Sequence, residues 1–265
     1  MMMESYLYLT IAFLLASSIN GRAIDDLDNS IQSTNNNNDE KLFPQHDWVE
    51  ISLAPPPKLI QQAGNSIELE CEVSGSPQPS IHWIRGKNLQ NIVDNIESNI
   101  ISESSPNTLV RVRSRLIIEH SSSSERTYTC VGRAGSKTAY ESTTIYSTPG
   151  HKSHNITELL SLNTGARKAR IVMYYSVLFD TIGSNIVLPC KAAGRPNPDI
   201  YWLDPDDNII TGRDHRVRVH PSGSLYISSL RWSDMGSYTC IAKNAIDKDS
   251  VSTFVYPIMS EDLDK

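Results

Sequence analysis

Residues 234–240 read Asp234-Met235-Gly236-Ser237-Tyr238-Thr239-Cys240, and a shorter echo, Tyr128-Thr129-Cys130, stands upstream. Working back from each Tyr-x-Cys leads to a tryptophan and then a cysteine at one fixed interval. Cys190 and Trp202 lie twelve residues apart, and so do Cys71 and Trp83. One pattern, written twice, uses every cysteine of the 265-residue chain.

Four cysteines alone allow three pairings. The repeated offsets resemble the immunoglobulin sandwich. There a strand-B cysteine bridges strand F, a strand-C tryptophan packs on the bridge, and a tyrosine two residues before the second cysteine ties the E–F corner. This resemblance selects Cys71–Cys130 and Cys190–Cys240, with Trp83, Tyr128, Trp202 and Tyr238 as core residues. The expected fold is all-β: two tandem immunoglobulin-like sandwiches of the I-set or C2 type, preceded by a flexible arm.

Strand patterns agree. Ile67-Glu68-Leu69-Glu70-Cys71 alternates apolar and acidic residues, as a half-buried strand does. Ser80–Ile84 reads as strand C, and Leu109–Ile118 is expected to hold strands D and E. Ile186–Cys190, Ile200–Leu203 and Gly223–Ile227 read as strands B, C and E of the second module. The predicted order is a signal peptide over 1–22, an acidic arm over 23–47 and a first domain over 48–147. A linker over 148–169, a second domain over 170–257 and a tail over 258–265 follow.

The signal peptide rests on the short apolar run from Tyr6 to Ala16, followed by small and polar residues. The arm, with Asn35–Asn38 and several acids, has little apolar surface to bury. Disulfides belong to an oxidising compartment, so the protein is expected to be secreted. No later stretch approaches the ~20 apolar residues of a transmembrane helix, so no membrane insertion is expected. A net charge of −6 argues against nucleic-acid binding.

The modules differ. Cys71 and Cys130 are 59 residues apart, whereas Cys190 and Cys240 are 50 apart, and the nine extra residues fall within Arg85–Asn107. That composition predicts a long loop or an extra edge strand. Ser124 and Arg126 replace Asp234 and Gly236, so a different E–F turn is expected in the first module.

No catalytic constellation, cofactor motif or metal site is read. No cysteine is left over, and there is no Gly-x-Ser-x-Gly elbow or phosphate-binding loop. His82 beside Trp83 reads as a sandwich-face residue. His151 and His154 lack a third ligand and read as a solvated spacer. Asn155-Ile156-Thr157 is a glycosylation acceptor sequence.

Arg111, Arg113 and Arg115 alternate along one strand face, as do Arg216, Arg218 and His220, and Arg167, Lys168 and Arg170 cluster at the junction. Two readings stand: a glycosaminoglycan contact, or the charged face of edge strands. The segment from Ile171 to Phe179 is apolar on both faces, so it either covers the domain junction or is exposed as a binding strand. Ile171, Met173, Tyr174 and Tyr175 are therefore candidate ligand contacts. Trp232, two residues before the E–F turn, is another.

Several stretches go beyond a generic immunoglobulin pattern: LVRVRS (109–114), RTYTCVGRAGSKT (126–138), GSNIVLPC (183–190), DMGSYTCIAKN (234–244) and TFVYP (253–257). In these the chain resembles the insect neural/ectodermal development factors, the imaginal morphogenesis proteins of the late class. The resemblance implies a secreted protein of the haemolymph that binds insulin-like peptide hormones and dampens insulin-receptor signalling. The alternative is a secreted immunoglobulin-domain adhesion, guidance or matrix protein.

Overall fold

The computed structural model describes residues 47–62, 65–88, 108–119, 124–148, 165–212 and 214–259. The expected signal peptide, most of the acidic arm and His151, His154 and Asn155 lie outside the described residues. So do most of the Arg85–Asn107 insertion and most of the tail.

Fifteen strands are seen in this region, all short enough for immunoglobulin sheets. The first sandwich contains β1 (Trp48–Leu53), β2 (Lys58–Gln61), β3 (Ile67–Ser76), β4 (Ser80–Arg85), β5 (Leu109–Ile118), β6 (Glu125–Ala134) and β7 (Lys137–Ser147). The second begins with a 15-residue strand, β8 (Arg167–Thr181). It continues with β9 (Ile186–Leu188), β10 (Cys190–Arg195), β11 (Asp199–Leu203), β12 (Val217–Val219), β13 (Leu225–Ile227), β14 (Gly236–Lys243) and β15 (Lys248–Ile258). A 3-10 turn at Trp232–Asp234 precedes β14.

Both expected bridges are present, Cys71–Cys130 and Cys190–Cys240. Register explains how the tryptophans meet them. Trp83 pairs with Cys130 across β4 and β6, and Trp202 pairs with Cys240 across β11 and β14. Paired residues on antiparallel strands share a face, so each ring points at its own bridge. Trp202 is fully buried and donates its indole N–H to the Gly223 carbonyl at 2.8 Å.

Two strand expectations need correction. Leu109–Ile118 forms one strand, β5, which pairs with β3 as strand E pairs with B. The place beside β5 where strand D would lie is taken by β8 of the second sandwich, through pairs running from Leu109–Phe179 to Ser114–Met173. The second strand B is split at Pro189 into β9 and β10, because proline has no N–H to give a ladder.

The consequence is a single sheet that crosses the domain boundary. Its order is β1-β3-β5-β8-β15-β14-β11, with β10 also paired to β8. β8 uses one edge for β5. Its other edge serves β10 with the first half of the strand and β15 with the second half. The two cores merge: Val73, Val110 and Val112 of the first sandwich and Leu178, Trp202 and Val255 of the second belong to one apolar cluster containing both bridges. This accounts for the two-faced apolar character of the middle of β8, where Met173, Tyr174 and Tyr175 are all buried, since a stretch covered on both faces need not alternate.

Candidate binding surface

The four strand residues expected at a binding surface are buried instead. Ile171 is 0% exposed, Met173 7%, Tyr174 5% and Tyr175 4%. Each serves the joint. Ile171 faces Ala192 across β10, and its N–H donates to Asp249 Oδ2 at 2.7 Å. Tyr174 lies opposite both Cys190 and Arg113, under the Arg115 guanidinium at 5.7 Å. The Tyr175 hydroxyl accepts from Gln78 of the first sandwich, and its backbone carbonyl accepts from Thr253 of the second. Burial pushes the Tyr175 phenol well above its ordinary pKa, against the lowering effect of the Gln78 bond. For Ile171–Tyr175 the junction reading thus replaces the exposed-strand reading. Burial of the aromatic rings, with their large apolar areas, is worth more to the seam than to a surface.

Two of the three ladder arginines, Arg113 and Arg115, are likewise engaged. Glu68, Glu70 and Glu72 alternate on β3 opposite the arginine-bearing β5. Arg113 bonds Glu72 at 2.7 Å, and Arg115 bonds Glu70 at 2.7 Å while reaching Asp249 of the second sandwich at 3.2 Å. Arg170 on β8 spans Glu68 at 2.9 Å and Asp247 at 3.0 Å. Glu72 also accepts from Ser176 at 2.7 Å and from Ser52 at 2.9 Å. Burial alone would raise the Glu72 pKa, but the Ser176 bond, the Arg113 charge and the Ser52 bond outweigh it and hold the carboxyl below its ordinary value. Arg216 faces Asp234 at 3.0 Å and Asp214 at 3.3 Å. Arg113, Arg115, Arg170 and Arg216 are therefore structural, whereas Arg111, Arg167 and Arg218 form no ion pair among the described residues.

His82 is half-buried and sits 3.2 Å from the Ser80 hydroxyl. Burial, with the Arg133 charge adding to it, lowers its pKa, which fits a neutral sheet residue. Among the described residues no group of three or more His, Cys, Asp or Glu side chains could hold a metal ion, and no helix is long and apolar enough to cross a membrane.

Trp232 has the opposite fate from the β8 residues. It is 46% exposed on the 3-10 turn and meets Tyr256 edge-on, ring centres 6.0 Å apart. Tyr256 in turn lies 5.6 Å from Phe179. Register extends the row: Phe179 partners Leu109 on β5 and Tyr256 on β15. The next row on the same face holds Arg111, Val177, Phe254 and Ser237. The opposite face carries the buried row Val110, Leu178 and Val255. The outer face of the continuous sheet therefore bears an apolar strip running from one sandwich to the other. Ile182 and Met259, 40% and 46% exposed, lie just past the ends of β8 and β15. Phe179 and Tyr256 could be found from sequence only by knowing that β8 pairs on both edges.

The fold defines a class: a tandem immunoglobulin-domain protein, in which the immunoglobulin-domain family model matches residues 50–133 and 177–244. The chain is 42% identical over 261 residues to neural/ectodermal development factor IMP-L2 of Drosophila melanogaster, covering 95% of this chain and 96% of that protein. The crystal structure of neural ectodermal development factor IMP-L2 matches with a TM-score of 0.66 at 41% identity, over 83% of this chain and 98% of the other. A peroxidasin homolog of Mus musculus is 27% identical over 196 residues, 73% of this chain but only 12% of its own length. The chain belongs to the family of neural/ectodermal development factor IMP-L2.

Proposed function

We propose that this protein is a secreted, non-enzymatic binder that captures insulin-like peptides on the outer face of its continuous sheet and so withholds them from their receptor. The family resemblance supplies the ligand class. The observation that carries the surface is the apolar strip of Phe179, Val177, Phe254 and Tyr256, bordered by the exposed Trp232. Exposed tryptophan and tyrosine are the residue types that most often dominate a binding interface. A specific complex buries about 800 Å² on each partner, and a strip that crosses the seam spreads that contact over both sandwiches without a hinge.

The buried tyrosines act indirectly in this reading. They fix the two halves of the strip relative to each other, which spares the binder the entropy of ordering two mobile domains.

The test compares two residues. Trp232→Ala is expected to leave thermal stability nearly unchanged and to weaken capture of an insulin-like peptide at least about tenfold, the loss of one hot-spot contact. Tyr174→Ala is expected to lower stability by about 3 kcal/mol as a buried aromatic truncation. Calorimetric titration of both variants with one insulin-like peptide decides it. Undiminished affinity in Trp232→Ala moves the site elsewhere, and no binding by the parent protein removes the reading.

A further inference from the structure

Four cations of the second sandwich stand directly opposite one another in like-charged pairs. Arg167 and Arg195 are direct partners across β8 and β10, and Lys243 and Lys248 are direct partners across β14 and β15. All four side chains are exposed, and none has an ion pair among the described residues. Like charges placed opposite each other on a sheet repel and destabilise it. Two such pairs occur at one end of the second sandwich.

Asn244 shows that they share that end. Its side-chain amide, one residue from Lys243, donates to the Arg167 carbonyl at 2.8 Å and to the Pro196 carbonyl, next to Arg195, at 3.0 Å. Lys168 adds a fifth charge, with its side chain 65% exposed and its ammonium 3.8 Å from Asp247. The carboxylates nearby form no ion pair with the four opposed cations. Asp247 is engaged by Arg170 at 3.0 Å, and Asp199 is the strand partner of Lys243 without forming an ion pair. On a chain of net charge −6 this is a local reversal of sign.

We propose that this end of the second sandwich binds a linear sulfated polysaccharide of the heparan sulfate class. The sulfates of such a chain would sit between the paired cations and relieve their repulsion. Guanidinium groups suit sulfate oxygens through paired N–H donors. A narrow polyanion touches the cations alone, whereas a flat anionic membrane would also face the acidic remainder of the molecule. The site lies on β10, β14 and the starts of β8 and β15, apart from the aromatic strip, so it does not depend on hormone capture.

The experiment passes the full chain over immobilised heparin at about 0.15 M salt, where exposed long-range charge effects are already screened. The parent is expected to be retained and to elute with added salt. Arg167→Glu/Arg195→Glu is expected to flow through, Lys243→Glu/Lys248→Glu to elute earlier than the parent, and Arg218→Glu, on the exposed β12, to elute with it. Circular dichroism and thermal melts check folding, and Arg167→Gln/Arg195→Gln replaces the reversal if that variant does not fold. Flow-through of the parent overturns the proposal, as does equal retention of every variant. Capture by phosphatidylserine vesicles without heparin retention also overturns it, in favour of a membrane surface.

Discussion

The two sandwiches share a bridge, a tryptophan and a Tyr-x-Cys, yet they close their E–F corners differently. In the second, the Tyr238 hydroxyl donates to the Asp234 carbonyl at 3.1 Å, and Arg216, just before β12, bonds both Asp234 carboxylate oxygens at 3.0 and 3.1 Å. In the first, Arg126 occupies the sequence position of Gly236 and is itself buried. Its guanidinium reaches the Glu119 carbonyl at 3.1 Å, the Ser147 hydroxyl at 3.2 Å and the Gln61 side chain. Each corner is tied by one arginine, but Arg126 comes from within β6 and Arg216 from the segment leading into β12.

The topology supplies the reason. The second sandwich has its own strand D, β12, paired with β13, and Arg216 lies just before it. In the first, the place of strand D beside β5 belongs to β8. An arginine from that direction would have to come from the second sandwich, where Arg170 and its neighbours serve the seam. Arg126 instead reaches its partners from within β6. The unusual residue at the Gly236 position is thus linked to the sharing of β8.

Breaking the shared architecture is expected to have the largest effect. Cys190→Ser removes a bridge that closes a loop of 50 residues, at a cost of about 2–5 kcal/mol. Because both bridges lie in one apolar cluster, the loss should lower the unfolding temperature of the whole described region in one transition. Calorimetry that resolves two independent transitions, one of them unshifted, would separate the sandwiches energetically despite their common sheet.

The corner comparison is sharpened by a pair of smaller truncations. Arg216→Ala leaves the nearly buried Asp234 carboxylate without its cation, and Arg126→Ala leaves Gln61 and the Glu119 carbonyl short of a donor. Losing hydrogen bonds to a charged group costs about 1.5–3 kcal/mol, so both variants are expected in that range by chemical denaturation. Arg126→Gly, which copies the second sandwich into the first, should be no better than Arg126→Ala. A Gly variant as stable as the parent would show that Arg126 does not tie the corner.

The smallest effect concerns pH. The Glu72 pKa is lowered in the native state, so its contribution is present above the ordinary glutamate value and is lost as pH falls through the lowered one. Stability should fall on acidification below about pH 4.3, the usual glutamate pKa. Glu72→Gln should be less stable at neutral pH and show a shallower acid slope in urea melts. An unchanged slope would place the acid sensitivity in other carboxylates.

Much of the fold was legible because the immunoglobulin pattern is local and chemical. Cysteine, tryptophan and tyrosine offsets follow strand register, and Trp83 and Trp202 fall opposite Cys130 and Cys240 as their spacing implied. The proposed binding surface was less legible. A solvent-facing aromatic such as Trp232 can be picked from its place beside a turn, but Phe179 and Tyr256 become neighbours only through a parallel ladder between strands about 77 positions apart. The same limit applies to charge. Arg113 and Arg167 look alike in sequence, and only the acids opposite them decide that one is paired and the other exposed.

By itself the sequence determined two bridged sandwiches, their strand faces and the family to which they belong. It also marked Ile171–Phe179 as a strand with apolar residues on both faces. Only the tertiary structure decided that β8 belongs to both sandwiches, that its tyrosines are buried in the seam, and that the apolar strip and the cation pairs lie on separate surfaces. The physical reason is that hydrophobic periodicity reports how many faces of a strand are covered, but not which strand lies at each edge. Edge pairing depends on backbone groups that every residue carries alike.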